Sequence, residues 1–353
     1  MKGLILSGGR GTRLRPITFT SAKQLIPVAN KPILFYGIEA LVESGIREIG
    51  IVVGDTGQEI KDAVGDGSQF GAAVTYIEQP APLGLAHAVL ISEAFISGEP
   101  FVMYLGDNLI RERLAPLVET FRAAAPNAQI LLARVPNPQQ FGVAELAGGR
   151  VVRLVEKPKK PASDLALVGV YMFDRDVFDA VSAISPSARG ELEITDAIQW
   201  LIDHGRTVIP HVIDGWWKDT GKLEDLLEAN RIILDTIGRR IEGEVEGSEV
   251  LGKVVIEVGA KVVQSTVRGP AVIGKGAMIE NAYIGPFTAV GDHAIIRSSE
   301  VEHSIILEGS TITDIGGRIE SSLIGRNVSI YRSTTKPKSY NLMLGDRSQV
   351  GLP

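Results

Sequence analysis

Three glycines, Gly8, Gly9 and Gly11, follow directly on a short apolar run, Leu4 to Leu6. Arg10, Thr12 and Arg13 are interleaved with and follow them, and Lys23 comes before any second apolar strand. A glycine-rich turn at a strand end lets backbone amides approach phosphate closely, and arginine and lysine add full charge. Arg13 offers a planar fork and Lys23 a compact point charge. The spacing is neither G-x-G-x-x-G nor G-x-x-x-x-G-K-[ST], so this is a third way of holding a nucleoside triphosphate. Asp107, in Leu105-Gly106-Asp107-Asn108, stands just past a second apolar run. A carboxylate at such an edge suits a hard divalent cation that carries triphosphate. Asp219, in Lys218-Asp219-Thr220-Gly221, is the candidate second ligand. It precedes a helical stretch, so helix N-capping competes with that role.

A second group of residues suits a sugar phosphate. Lys157, in Glu156-Lys157-Pro158, would meet a phosphate, and Glu156 would accept from sugar hydroxyls. The competing reading is one surface ion pair of little energetic weight. Gly142 and Gly169 supply backbone that a sugar can approach closely. Gln79-Pro80, with Gly84-Leu85-Ala86, reads as a strand-end loop that holds a nucleobase against a helix start.

Other chemistries are disfavoured. None of the five histidines has metal-triad spacing, and G-x-S-x-G is missing. With no cysteine there are no disulfides, thiolate metal sites or cysteine nucleophile. A net charge of -6 opposes a broad basic surface for nucleic acid but leaves room for one focused basic site. The chain enters its first strand without an apolar leader, and no stretch is long enough for a bilayer. The expectation is therefore a cytoplasmic protein with neither nucleic acid nor membrane as partner.

The elements that must position these residues fall into two regimes. Over 1–238, strands are expected at Gly3–Leu6, Glu48–Val53, Ala73–Ile77, Phe101–Leu105, Ala128–Arg134, Leu167–Phe173 and Val208–Val212, with a hairpin over 143–156 turning at Gly148-Gly149. Helices are expected at Ile33–Ser44, Gln58–Val64, Gly84–Phe95, Leu114–Ala124, Ile194–Asp203 and Leu223–Ile237. Short apolar strands alternating with helices predict an α/β, Rossmann-like mixed sheet. From 239 to 330 the helical stripe disappears and β-branched residues recur about every six positions, as at Ile273, Ile279, Ile284 and Val290. That period predicts a parallel β-helix of hexapeptides, with register slips and with glycines 259, 274, 285 and 291 at tight corners. Residues 331–353 break the period and read as a cap or tail.

The motifs GGRGTRLRPIT, KQLIPVANKPILFY, QPAPLGLAHAV, LGDN, FGV, VEKPKKP, GVYMFD, ELEITDAI and WWKDTG together resemble the sugar-1-phosphate nucleotidyltransferases, specifically the long-form glucose-1-phosphate thymidylyltransferases. They run from residue 3 to about 229, and a C-terminal hexapeptide helix, left-handed in this family, accounts for the long form. The resemblance implies a nucleotide site of Leu6, Gly8, Gly9, Gly11, Thr12, Arg13, Gln24, Gln79, Gly84 and Asp107. It implies a sugar-phosphate site of Asn108, Gly142, Glu156, Lys157 and Gly169. Asp107 and Asp219 would hold Mg²⁺, and Arg13, Lys23 and Lys157 would be the catalytic cations. The implied reaction joins dTTP and glucose 1-phosphate in a homo-oligomeric enzyme. UTP or another sugar phosphate is the nearest alternative. A second is acyl transfer in the β-helix, with His293 or His303 as base. Lys218 and Val168 depart from the short-form pattern, which has an apolar residue and a threonine there.

Overall fold

The computed structural model describes residues 1–9, 11–334, 336–337 and 340–351. Arg10, part of the predicted glycine turn, lies outside the described residues, as do positions 335, 338–339 and 352–353 of the expected tail. The described residues divide into two compact units, one within 1–9, 21–25 and 33–219 and the other within 11–20, 26–32 and 220–351.

The first unit is built on a nine-stranded mixed sheet. Lys2–Ser7 lies between Glu48–Val53 and Phe101–Leu105, parallel to both, and Ala73–Glu78 continues the parallel run. Leu165–Phe173 joins the other side antiparallel to Phe101–Leu105 and also pairs with Ala128–Arg134. Gly142–Ala147 and Arg150–Glu156 form the expected hairpin, with positive φ at Gly148 and Gly149. The apolar run of the first strand serves both faces, since alternate side chains point to opposite sides. Leu4 and Leu6 enter a core with helices Leu85–Leu90, Val177–Ala183 and Ile194–Asp203. Ile5 enters the opposite core with helices Ile33–Glu43, Gly57–Val64 and Leu114–Ala124. Covering both faces explains why these strands read as apolar runs.

One detail differs from expectation, and one competing alternative falls away. The helix predicted over 84–95 is two helices, Leu85–Leu90 and Glu93–Ile96, parted at Ser92, whose buried hydroxyl donates back to the Ala88 carbonyl. Asp219 is not a helix cap. It ends the strand Trp217–Asp219, and the following helix, Leu223–Thr236, begins after Lys222.

In the second unit three parallel sheets carry the repeats. Val255 pairs with Val272 and Val272 with Ala289, so each of these coils takes 17 residues. Three hexapeptides would take 18, and the missing residue is the predicted register slip. Ile256, Ile273, Val290, Ile306 and Ile324 form one internal column, and Val262, Ile279, Ile296, Ile312 and Ile330 another. Each coil buries its apolar face on the next. The corner glycines act in two ways. Gly259 has a positive φ, but Gly291 is required by close stacking, since a Cβ there would stand 2.7 Å from the Glu308 nitrogen. The left-handed corners are also taken by Gln264, Asn281 and Ser298. His293 and His303 are corner residues with positive φ as well. Among the described residues, no helix is long and apolar enough to cross a membrane.

Candidate active site

The first unit gathers its polar residues at the carboxyl ends of its parallel strands, where open α/β sheets place ligands. Leu6 and Ser7 end the first strand and lead to Gly8 and Gly9. A Cβ on Gly8 would lie 3.0 Å from Gln79 Oε1, and one on Gly9 would lie 3.1 Å from Lys23 Cε. A side chain at either position would crowd Gln79 or Lys23. Lys23 and Gln24 sit on a short 3₁₀ turn, Lys23–Leu25, whose entry is fixed where the Ala22 amide donates to Glu59 Oε2 at 2.7 Å. Glu59 was not singled out from sequence, because nothing local links residue 59 to residue 22.

The Lys23 ammonium is bonded to Asp107, and their side chains are only 17% and 13% exposed. Burial works against ionising Asp107, but the Lys23 charge and hydrogen bonds from Lys23 and Asn108 hold its carboxyl below the usual range. Asp219 reaches the same neighbourhood through a ribbon, in which Asn108–Ile110 pairs antiparallel with Trp217–Asp219 and Asp219 stands opposite Asn108. The two candidate metal carboxylates are 112 positions apart in the chain, yet Asp219 pairs with the residue that follows Asp107.

Asn108 is buried and its side chain is used internally. Its amide donates to Asp107 Oδ1 at 3.0 Å, while its oxygen accepts from Trp217 Nε1 at 2.6 Å and from the Gly169 amide at 3.3 Å. A Cβ on Gly169 would stand 2.5 Å from Asn108 Oδ1, which is why that strand position is glycine. Asn108 thus ties the ribbon to Asp107 and to the Leu165–Phe173 strand.

Around the glycine turn two buried oxygens, Gln24 Oε1 and Ser7 Oγ, make no hydrogen bond. Gln79 bridges the loop end by donating to the Gly84 carbonyl at 3.2 Å and meeting His87 Nδ1 at 3.1 Å. Gly84 has φ 103° and packs against the backbone of Leu192, so only glycine fits before that helix.

Of the sugar-phosphate candidates, Gly142, Glu156 and Lys157 form a second cluster, whereas Asn108 and Gly169 sit beside Asp107. Glu156 ends its strand, and Lys157 follows with a positive φ of 42°. The Lys157 amide donates to the Phe141 carbonyl at 3.0 Å, and the Phe141 ring meets the Trp217 ring edge-on at 5.0 Å. Gly142 faces Glu156, since a Cβ there would be 3.2 Å from Glu156 Oε2. Lys157 Nζ is 3.4 Å from Glu156, and Arg189 donates to Glu156 at 3.3 Å and to both Glu193 oxygens at 2.8 Å. Thr195 Oγ1 donates to Glu156 Oε2 at 3.4 Å. Burial raises the Glu156 pKa, opposed by Lys157 and Arg189 and reinforced by Glu193. Arg189, Glu193 and Thr195 were not singled out as site residues, although the last two belong to the ELEITDAI motif.

Gly11, Thr12 and Arg13 belong to the second unit. Gly11 is left-handed, with φ 59°, and caps the 3₁₀ turn Thr12–Leu14. Thr18 Oγ1 holds the loop by donating to the Gly11 carbonyl at 2.7 Å.

A Rossmann-like sheet with a glycine turn, a carboxylate pair and a lysine at its carboxyl edge defines a nucleotidyltransferase. Residues 2–236 match the nucleotidyl transferase family model, and the chain belongs to that family. Within it, the chain belongs with the long-form glucose-1-phosphate thymidylyltransferases. It is 56% identical over 352 residues to a glucose-1-phosphate thymidylyltransferase of Streptomyces griseus, covering 99% of each chain. It is 50% identical, over 100% of each chain, to the low-salt glycan biosynthesis nucleotidyltransferase Agl11 of Haloferax volcanii. The crystal structure of a UDP-glucose pyrophosphorylase complexed with UDP-glucose superposes with TM-score 0.60 at 27% identity, covering 66% of this chain and 98% of that one.

Proposed function

We propose that this chain transfers the thymidylyl group of dTTP to glucose 1-phosphate, giving dTDP-glucose and pyrophosphate. The observation that carries the reading is the Lys23–Asp107 pair beside the Gly9 turn, with Asp219 brought to the same ribbon. In this reading residues 1–238 carry the chemistry, 239–330 form the repeat domain and 331–353 its cap or tail. A phosphate oxygen of the sugar attacks the α-phosphorus in line. The new P–O bond forms as the bond to the α,β-bridging oxygen breaks, and pyrophosphate leaves with the electron pair. The attacking oxygen is already anionic, so no general base is needed. Rate comes from alignment and from cations placed where charge develops. Lys23 and Arg13 serve the nucleotide phosphates, and Lys157 the sugar phosphate.

Asp107 and Asp219 fit Mg²⁺. Among the described residues no cluster of three or more His, Cys, Asp or Glu could hold a metal. Two carboxylates completed by phosphate oxygens and water are the usual protein share of a Mg²⁺ site. When bound, the ion neutralises phosphate charge and orients the two substrates.

The orphaned Gln24 oxygen supports the base assignment. A buried acceptor without a partner is costly, and the imide N–H of thymine or uracil would satisfy it, whereas cytosine has no hydrogen there. UTP is the close competitor, because one methyl group on the base is worth only about 1–3 kcal/mol. A panel crossing dTTP, UTP, CTP, GTP and ATP with several sugar 1-phosphates, read by pyrophosphate release, tests the reading. The expected result is fastest turnover with dTTP and glucose 1-phosphate. A preference for a purine nucleotide would overturn it.

A further inference from the structure

Gln79 and His87 are eight positions apart, and the first unit turns their side chains towards one another. Gln79 follows the strand Ala73–Glu78 and prolongs its pairing, because its backbone amide donates to the Val53 carbonyl at 2.8 Å. Leu192 closes the loop that comes next. Its amide donates to the Leu83 carbonyl at 2.8 Å, and its carbonyl accepts from the Ala86 amide at 3.0 Å. Gly84 precedes the helix Leu85–Leu90, of which His87 is the third residue. A helical side chain leans back over the turn before its own Cα, so the His87 ring meets the loop.

The Gln79 amide is held in one orientation. Its Nε2 donates to the Gly84 carbonyl at 3.2 Å, and a carbonyl oxygen can only accept. Nε2 carries a second proton, and His87 Nδ1 stands 3.1 Å from it. An amide nitrogen does not accept, so Nδ1 must, and the ring carries its proton on the other nitrogen. Both amide protons are thereby used inside the loop. Oε1 is left facing the glycine turn, where a Cβ on Gly8 would stand 3.0 Å from it. Together with Gln24 Oε1 it is a second acceptor for the nucleotide.

We infer that His87 sets base selection: its Nδ1 lone pair holds the Gln79 amide with the oxygen towards the nucleotide, so the site favours a base edge that carries an imide N–H over one with a bare ring nitrogen. His87 is a positioning residue, because it acts through Gln79 and has no need to touch substrate. The Gly84 carbonyl gives the same bias but engages only one of the two protons. Without the Nδ1 acceptor the second proton loses its partner, and turning the amide over costs less. A turned amide presents N–H to the base, which suits N3 of cytosine and opposes the imide of thymine or uracil.

The inference rests on the thymidylyl-transfer reading, and its test separates the two. The probes are dTTP and dCTP, which share deoxyribose and triphosphate and differ in the base. Each is titrated calorimetrically onto the full chain with Mg²⁺ and without glucose 1-phosphate. His87→Leu keeps bulk and removes the acceptor. It is expected to weaken dTTP binding about fivefold, the worth of one net hydrogen bond, and dCTP binding less than about twofold. His87→Gln offers an amide oxygen in place of Nδ1 and should restore most of the dTTP preference. His87→Lys can only donate, so it should lower that preference below His87→Leu. KM for glucose 1-phosphate should move less than about twofold in all three. Circular dichroism checks folding, and the contrast of His87→Gln with His87→Lys decides the matter if His87→Leu does not fold. The same dTTP-to-dCTP affinity ratio in the glutamine and lysine variants would overturn the inference, as would equal losses for both nucleotides or a parent chain that binds dCTP as tightly as dTTP. Failure of the parent chain to release pyrophosphate from dTTP would instead strike the reaction assignment, and the affinity ratios would still decide the role of His87.

Discussion

Asp107 and Glu156 are both carboxylates beside a lysine, yet their surroundings drive them in opposite directions. The Asp107 partner is bonded directly and is itself mostly buried, so the pair outweighs the cost of burial and the carboxyl stays ionised. The Glu156 partner, Lys157, is 3.4 Å away and 46% exposed, and the Glu193 charge opposes ionisation as well. Desolvation wins there. The contrast teaches that a carboxylate–lysine pair in sequence does not define a role. Asp107 keeps a negative charge in place, whereas burial disfavours the charge on Glu156.

The sharpest way to break the contrast is Asp107→Asn. It removes the charge to which Lys23 is bonded, so turnover should fall by about a hundredfold or more, with Asp219→Asn close behind. Circular dichroism should show both variants folded, and near-normal turnover in either would remove that residue from the metal assignment. Lys157→Ala is expected next. It should raise KM for glucose 1-phosphate far more than KM for dTTP, by an amount matching about 1.5–3 kcal/mol for a lost charged hydrogen bond. Arg13→Ala should show the reverse bias, and initial rates with each substrate varied in turn would reveal both.

These residues also show what was legible in the chain. The glycine turn, LGDN and the Gly148-Gly149 hairpin are local signals, and the strands they end or join appear where the alternation puts them. The hexapeptide period was equally plain, because burying one face per coil fixes a spacing. The ribbon joining Asn108–Ile110 to Trp217–Asp219 was not legible, since two three-residue strands carry no periodicity. For the same reason the neighbours of Asn108, and the Glu59 contact to Ala22, come from distant pairing alone. The Arg189–Glu193–Glu156 network depends on a loop meeting a strand end, which spacing does not encode. The 17-residue coil was visible only as a slip in register.

Smaller effects sharpen the Glu156 side. In the proposed sugar-binding role its carboxyl accepts from a hydroxyl more strongly when ionised, and its pKa is raised. KM for glucose 1-phosphate should therefore climb as pH falls, starting above the ordinary glutamate range, and Glu156→Gln should flatten that dependence. Linkage gives a matching stability test. A carboxyl that binds its proton more tightly in the native state makes stability decline as pH rises from the unfolded pKa to the raised one. Glu156→Gln should reduce that slope in pH-resolved urea unfolding. Thr195→Val, which deletes a 3.4 Å hydrogen bond to Glu156, should be the smallest change, with KM for the sugar phosphate rising no more than about threefold.

The most direct test of the account follows the phosphorus atoms. With glucose 1-phosphate present, dTTP labelled at the α-phosphorus should yield a labelled sugar nucleotide and unlabelled pyrophosphate. Label at the γ-phosphorus should appear only in pyrophosphate. Recovery of α-label as dTDP with release of inorganic phosphate would mean that the chain cleaves between the β- and γ-phosphates, and would contradict attack at the α-phosphorus.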